Sequence, residues 1–157
     1  MKVSAADLQY KKNIEVAFPD LVQADYSISS PFDRRYNCIA WVAEDIGNWW
    51  WPDAYSYWPQ NAPRQVTVSS FQKAFESLGY VKCDSHDFEI GFCKIAFYVD
   101  PDGKPTHGAR QSDKGIWLSK LGNWPDIEHG SLDGLYSDTY GRAVGLIMRR
   151  PVKMHHA

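Results

Sequence analysis

The spacing of apolar residues changes character once along this chain, after Gly79, and that change limits the fold more than any other feature. Before it, apolar residues recur at helical intervals; after it, they fall in short runs separated by turn residues. Helices followed by strands predict an α+β fold, with N-terminal helices packed on an antiparallel sheet of four or more strands. A length of 157 residues suits one core and is short for two, so residues 1–157 are read as a single domain.

Residues 5–18 carry Leu8, Ile14, Val16, Ala17 and Phe18 among charged side chains, a helix stopped by Pro19. Residues 1–30 are therefore read as an N-terminal helical extension. Cys38, Ala40, Trp41, Val42 and Ile46 share helical spacing, with Gly47 as terminator. Thr67 can cap a third helix through Phe71, Ala74, Phe75 and Leu78, closed by Gly79. Residues 92–100, 105–112 and 115–122 read as strands joined by the turns DPDGK and SDKG, and residues 143–151 as a last strand ended by Pro151.

Charge and cysteine usage remove several function classes. The formal net charge is −2, too little positive field for a polyanion, so nucleic acid is not an expected partner. No apolar run approaches the length of a membrane span, and the first residues lack the apolar centre of a signal peptide. The expected location is cytoplasmic, or exported without an N-terminal signal. Cys38, Cys83 and Cys93 fit neither a disulfide framework nor paired zinc ligands, which suggests a reducing compartment. Cys83, His86 and Cys93 lack an obvious fourth ligand, so neither a metal nor another cofactor is expected.

The residues that suit chemistry are Cys38 at a helix start and His107 on a strand. A helix N-terminus and a nearby imidazole both favour a thiolate, and the first backbone N–H groups can hold an oxyanion. Asn37 and Cys38 are the candidate oxyanion donors. A tight turn at Asp113 and Lys114 would set His107 opposite Lys120, leaving Ser119 or Asp126 to orient the imidazole, with Asn123 a further candidate. Asp126 and His129 are spaced to share one side of a helical turn. With His107 they form a weaker alternative, a metal-dependent hydrolase.

Residues 48–65 hold four Trp, two Tyr and three Pro, which excludes a regular helix or central strand and predicts an ordered aromatic loop. Three consecutive Trp cannot all face a core, so Trp49, Trp50, Trp51, Tyr57 and Trp58, with Trp117, are candidate substrate-binding residues. The same loop could hold a protein partner. Arg110 and Lys120 suit a solvated strand face or an acidic substrate group.

Cys at a helix start followed by His and a polar residue on successive strands resembles the papain-like fold in its compact bacterial form, the NlpC-like peptidases and amidases. The resemblance covers residues 31–122. It implies that Cys38 is a nucleophile, His107 a general base and Ser119 or Asp126 the orienting group. It further implies hydrolysis or deamidation of an amide in a peptide, protein or cell-wall peptide, and such domains also serve as toxins and effectors. No glutamine precedes Cys38 where papain-like enzymes complete their oxyanion hole. YNCIAW, WWWP, THGARQ and GIWLSKLG also resemble an uncharacterised family of small bacterial proteins. From a different class, the expectation is a non-catalytic module whose aromatic loop binds a peptide, protein or glycan.

Overall fold

The computed structural model describes residues 5–30, 35–122 and 124–152. Helix α1 (Ala5–Ala17) leads through a short 3-10 turn (Pro19–Gln23) into strand β1 (Tyr26–Ser30). Helices α2 (Cys38–Val42) and α3 (Val68–Glu76) follow, with the aromatic loop between them. The remaining strands are β2 (Val81–Lys82), β3 (Phe92–Val99), β4 (Pro105–Gln111), β5 (Trp117–Lys120), β6 (Asp126–His129) and β7 (Ala143–Pro151). They form one antiparallel sheet in the order β1-β6-β5-β4-β3-β7-β2. The chain is an α+β fold.

Alternation along β3 sends its residues to two cores. Ile95 and Phe97 join Ile39, Val42, Trp50, Phe71 and Phe75 beneath α2, α3 and the aromatic loop. Ala96 and Tyr98 join Ile14, Phe18, Leu21, Trp117 and Ile127 beneath α1. A strand covered on both faces needs a nearly continuous apolar run, which explains the sequence FCKIAFYV. Each fully buried large side chain contributes about 1.5–3 kcal/mol, so these two layers hold the sheet.

Three expectations need correction. The N-terminal segment is more than a helical extension, because β1 pairs with β6 at the sheet edge, with Tyr26 opposite His129. Helix α2 ends at Val42, well before Gly47, because Glu44 adopts a left-handed φ of 64°. Beyond it, the Asp45 carboxylate accepts bonds from Gly47 N (2.9 Å), Asn48 Nδ2 (3.1 Å) and Trp50 Nε1 (2.8 Å), giving this chain a loop in place of further helix.

The third correction concerns register. Residues 112–116 close a three-residue loop with Gly115 at φ +82°, so Gln111 pairs with Trp117 and Arg110 with Leu118. That is one residue away from the tight turn expected, and a one-residue slip exchanges the faces of a strand. Ser119, rather than Lys120, shares the face of His107.

Candidate functional site

Asn37 sets the position of Cys38. Its backbone is extended, and its Oδ1 accepts bonds from Ala40 N (3.0 Å) and Trp50 N (3.1 Å). Its Nδ2 donates to the Trp50 carbonyl at 2.6 Å. Asn37 thus caps α2 and ties it to the aromatic loop. The amide expected as an oxyanion donor is committed to this scaffold.

Burial pushes the Cys38 thiol up to about 11, against the N–H groups of Gly108 and Ile39 and the Lys120 ammonium, which all favour the thiolate. Helix α2 has only five residues, so its dipole adds little to this field. Lys120 is fully buried, its ammonium 5.5 Å from the centre of the Tyr36 ring and donating to the Gly122 carbonyl. It lines no solvated strand face.

His107 belongs to the opposite layer. A side chain at the neighbouring Gly108 would meet Val42 at 3.0 Å and Phe97 at 3.2 Å, which places Gly108 under α2. The His107 imidazole instead stacks on Tyr140, with centroids 4.1 Å apart and planes 9° from parallel, and packs beside Tyr98. Its Nε2 lies 3.1 Å from Ser119 Oγ. Ser119 Oγ lies 2.8 Å from His129 Nε2, and His129 Nδ1 lies 2.9 Å from the Ser131 carbonyl oxygen. His107 Nδ1 has no hydrogen-bond partner among the described residues.

Burial, with the neighbouring His129 charge, holds His107 well below the usual histidine range. Burial also lowers His129 to about 4, against the Ser131 carbonyl, which favours its charged form. At neutral pH the thiol and both imidazoles are uncharged. Among the described residues no hydrogen bond joins Cys38 to His107. They share two neighbours instead: Gly108, whose N–H faces the thiol, and Tyr140, which stacks on the imidazole and whose phenol is raised by burial and by Cys38.

Asp126 does not orient His107. It lies on strand β6, not a helical turn, directly across from Lys120. Ile127 and His129 face the Ser119 layer, so alternation turns Asp126 to the other side. The alternative metal set of His107, Asp126 and His129 is dispersed for the same reason, since both imidazoles aim Nε2 at Ser119. No group of three His, Cys, Asp or Glu among the described residues is placed to hold a metal. Cys83 points at the Ser85 carbonyl and Cys93 at Tyr80 and Gln111. Asn123 lies outside the described residues.

Most of the expected substrate-binding rings are core. Trp50, Trp58 and Trp117 are buried, and Trp51 packs edge-on to Phe71 at 5.7 Å. Trp58 lies 4.9 Å from Phe71 and Trp50 5.8 Å from Phe75, so α3 is the surface the loop covers. Only Trp49, Tyr55 and Tyr57 of this cluster are exposed. Arg110 stacks 4.3 Å over Trp41 and pairs with Glu44 at 3.2 Å, so its charge is already matched. Clefts of about 530 and 490 Å³ lie elsewhere, the first against Glu15, Tyr26 and Glu128, the second against Glu44, Arg110 and Arg150.

Tyr140 is the neighbour that sequence reasoning missed; Lys120 was set beside His107 by the wrong register, and His129 entered only through the alternative metal set. The signal that turns His129 toward Ser119 is its alternation with the apolar Ile127. No helix among the described residues is long and apolar enough to cross a membrane. The model of a family described as a domain of unknown function, DUF7689, matches residues 27–148, a span that includes Cys38, His107, Ser119 and His129. No curated protein and no solved structure matches the chain.

Proposed function

The chain belongs to this domain family of unknown function, DUF7689, and from its residues we propose that it is a cysteine-dependent hydrolase acting on an amide bond, with a papain-like core. One observation carries the reading: a buried His107 held at Nε2 by Ser119, unsatisfied at Nδ1, and adjacent to the Gly108 N–H that faces the Cys38 thiol. Ser119 takes the place of the polar residue that orients the imidazole in papain-like sites.

The thiol proton passes to His107 as Cys38 Sγ attacks the carbonyl carbon. N–H groups of Ile39 and Gly108 stabilise the oxyanion. The C–N bond breaks, His107 returns the proton to the leaving amine, and a thioester remains. Water then adds to the thioester, releasing the acid and the thiol. Because the pair is neutral at rest, packs on different layers of the sheet and has no direct hydrogen bond, the reading requires a rearrangement beside Gly108 that lets Nδ1 reach Sγ. The substrate is a peptide, a protein or a cell-wall peptide, and use as a toxin or effector fits the same chemistry. Three free cysteines suit a reducing compartment.

The test incubates the full chain with labelled casein and with a cell-wall stem peptide, beside a Cys38→Ala variant. Amide cleavage that disappears in the variant supports the reading. Intact substrates, with Cys38 unmodified by a peptide aldehyde, overturn it.

The separation of Cys38 and His107 onto different layers favours a second reading, a binding module that presents the exposed Trp49, Tyr55 and Tyr57 to a partner. Chemical-shift changes confined to those rings on adding a peptide or glycan, with Cys38 inert, would support it.

A further inference from the structure

The hydrogen-bond chain behind His107 has a direction, and its last member sets it. A carbonyl oxygen only accepts, so the 2.9 Å contact to Ser131 requires a proton on His129 Nδ1. Neutral His129 then has a lone pair at Nε2, 2.8 Å from Ser119 Oγ. The Ser119 hydroxyl has one proton and donates it there. Its oxygen is left to accept, 3.1 Å away, from His107 Nε2–H. His107 therefore carries its lone pair on Nδ1, the atom with no partner among the described residues.

We propose that His129 is a positioning residue which, through the Ser119 hydroxyl, holds His107 as the Nε2–H tautomer and so makes Nδ1 the basic atom of the site. The use of that base rests on the hydrolase reading; the tautomer itself does not. His107, Ser119 and His129 are buried, with only Ser131 at the end of the chain half-buried, which limits the competing donors and acceptors that water can supply. Reversing the chain would set an acceptor against an acceptor at Ser131 and bury a proton on His107 Nδ1 with nothing to accept it. One reversal of that kind favours the observed tautomer by about tenfold or more.

The test is multiple-bond proton–nitrogen correlation spectroscopy at pH 7 on the full chain labelled with nitrogen-15 histidine. The expected spectrum shows His107 protonated at Nε2 and bare at Nδ1, and His129 the reverse. In His129→Phe the Ser119 proton is free to turn toward His107, and the preference falls by about fivefold or more. His129→Gln, with an acceptor oxygen within reach of Ser119, restores it. Wild-type His107 protonated at Nδ1 overturns the proposal, as does a His129→Phe protein with native circular dichroism and unchanged His107 shifts. If His129→Phe does not fold, the wild-type spectrum and Ser119→Ala decide by the same criterion. The predicted tautomers with an inert Cys38 would defeat the hydrolase reading alone; a reactive Cys38 with the opposite tautomer would defeat only this one.

Discussion

Replacing Asn37 by alanine separates scaffold from catalysis. The side chain makes three bonds, to Ala40 N, Trp50 N and Trp50 O, all at buried or nearly buried residues. Loss of the helix cap costs about 1 kcal/mol. The Trp50 N–H and carbonyl are left in the core without partners, at about 1–3 kcal/mol each. The expected loss is about 4 kcal/mol, a large part of the stability of a domain this size. Asn37→Ser retains an oxygen for the Ala40 N–H but cannot reach both Trp50 groups, so it should lose about half as much. Urea unfolding followed by tryptophan fluorescence measures both. A loss under about 1 kcal/mol in Asn37→Ala, with slower acylation of Cys38, would refute the scaffold role and restore Asn37 as an oxyanion donor.

Gly108→Ala sets a methyl 3.0 Å from Val42 and 3.2 Å from Phe97, and is expected to destabilise the fold by about 1–3 kcal/mol in the same assay. Lys120→Met removes a cation that favours the Cys38 thiolate, so the alkylation rate with iodoacetamide at pH 8 should fall and its pH profile move upward. His129 titrates at about 4 in the fold against an ordinary 6.5, so its contribution is intact above pH 6.5 and lost progressively as pH falls toward 4. That amounts to about 2 kcal/mol by pH 5, with His107 adding in the same direction, and urea unfolding at pH 7 and pH 5 measures it. A stability unchanged between those pH values would mean that the imidazoles are not buried neutral.

Elements whose own pattern decides their structure were legible. Helix α1, helix α3 with its Thr67 cap, and strands β3, β4, β5 and β7 follow from local periodicity and turn residues. Strands β1 and β6 were not, because Asp-Ile-Glu-His has one apolar residue and becomes a strand only between two partners. Cys38, His107 and Ser119 could be named from sequence. The register that joins the last two could not, since the left-handed Gly115 adds a residue to the loop. His129 and Lys120 acquire their roles from β6 pairing and burial, and Tyr140 from a distant loop. The aromatic segment misled because ring count says nothing about which rings find a surface; the Phe71 and Phe75 face of α3 takes Trp50, Trp51 and Trp58.

The claim that Cys38 and His107 act as nucleophile and base is tested most directly by acylation of Cys38 with p-nitrophenyl acetate, with Cys83 and Cys93 replaced, across pH. General-base help predicts a rate that is flat near neutrality and falls by about 100-fold or more in a His107→Ala protein with native circular dichroism. A rate that climbs steadily toward the thiol's own titration near 11, identical with and without His107, would contradict it.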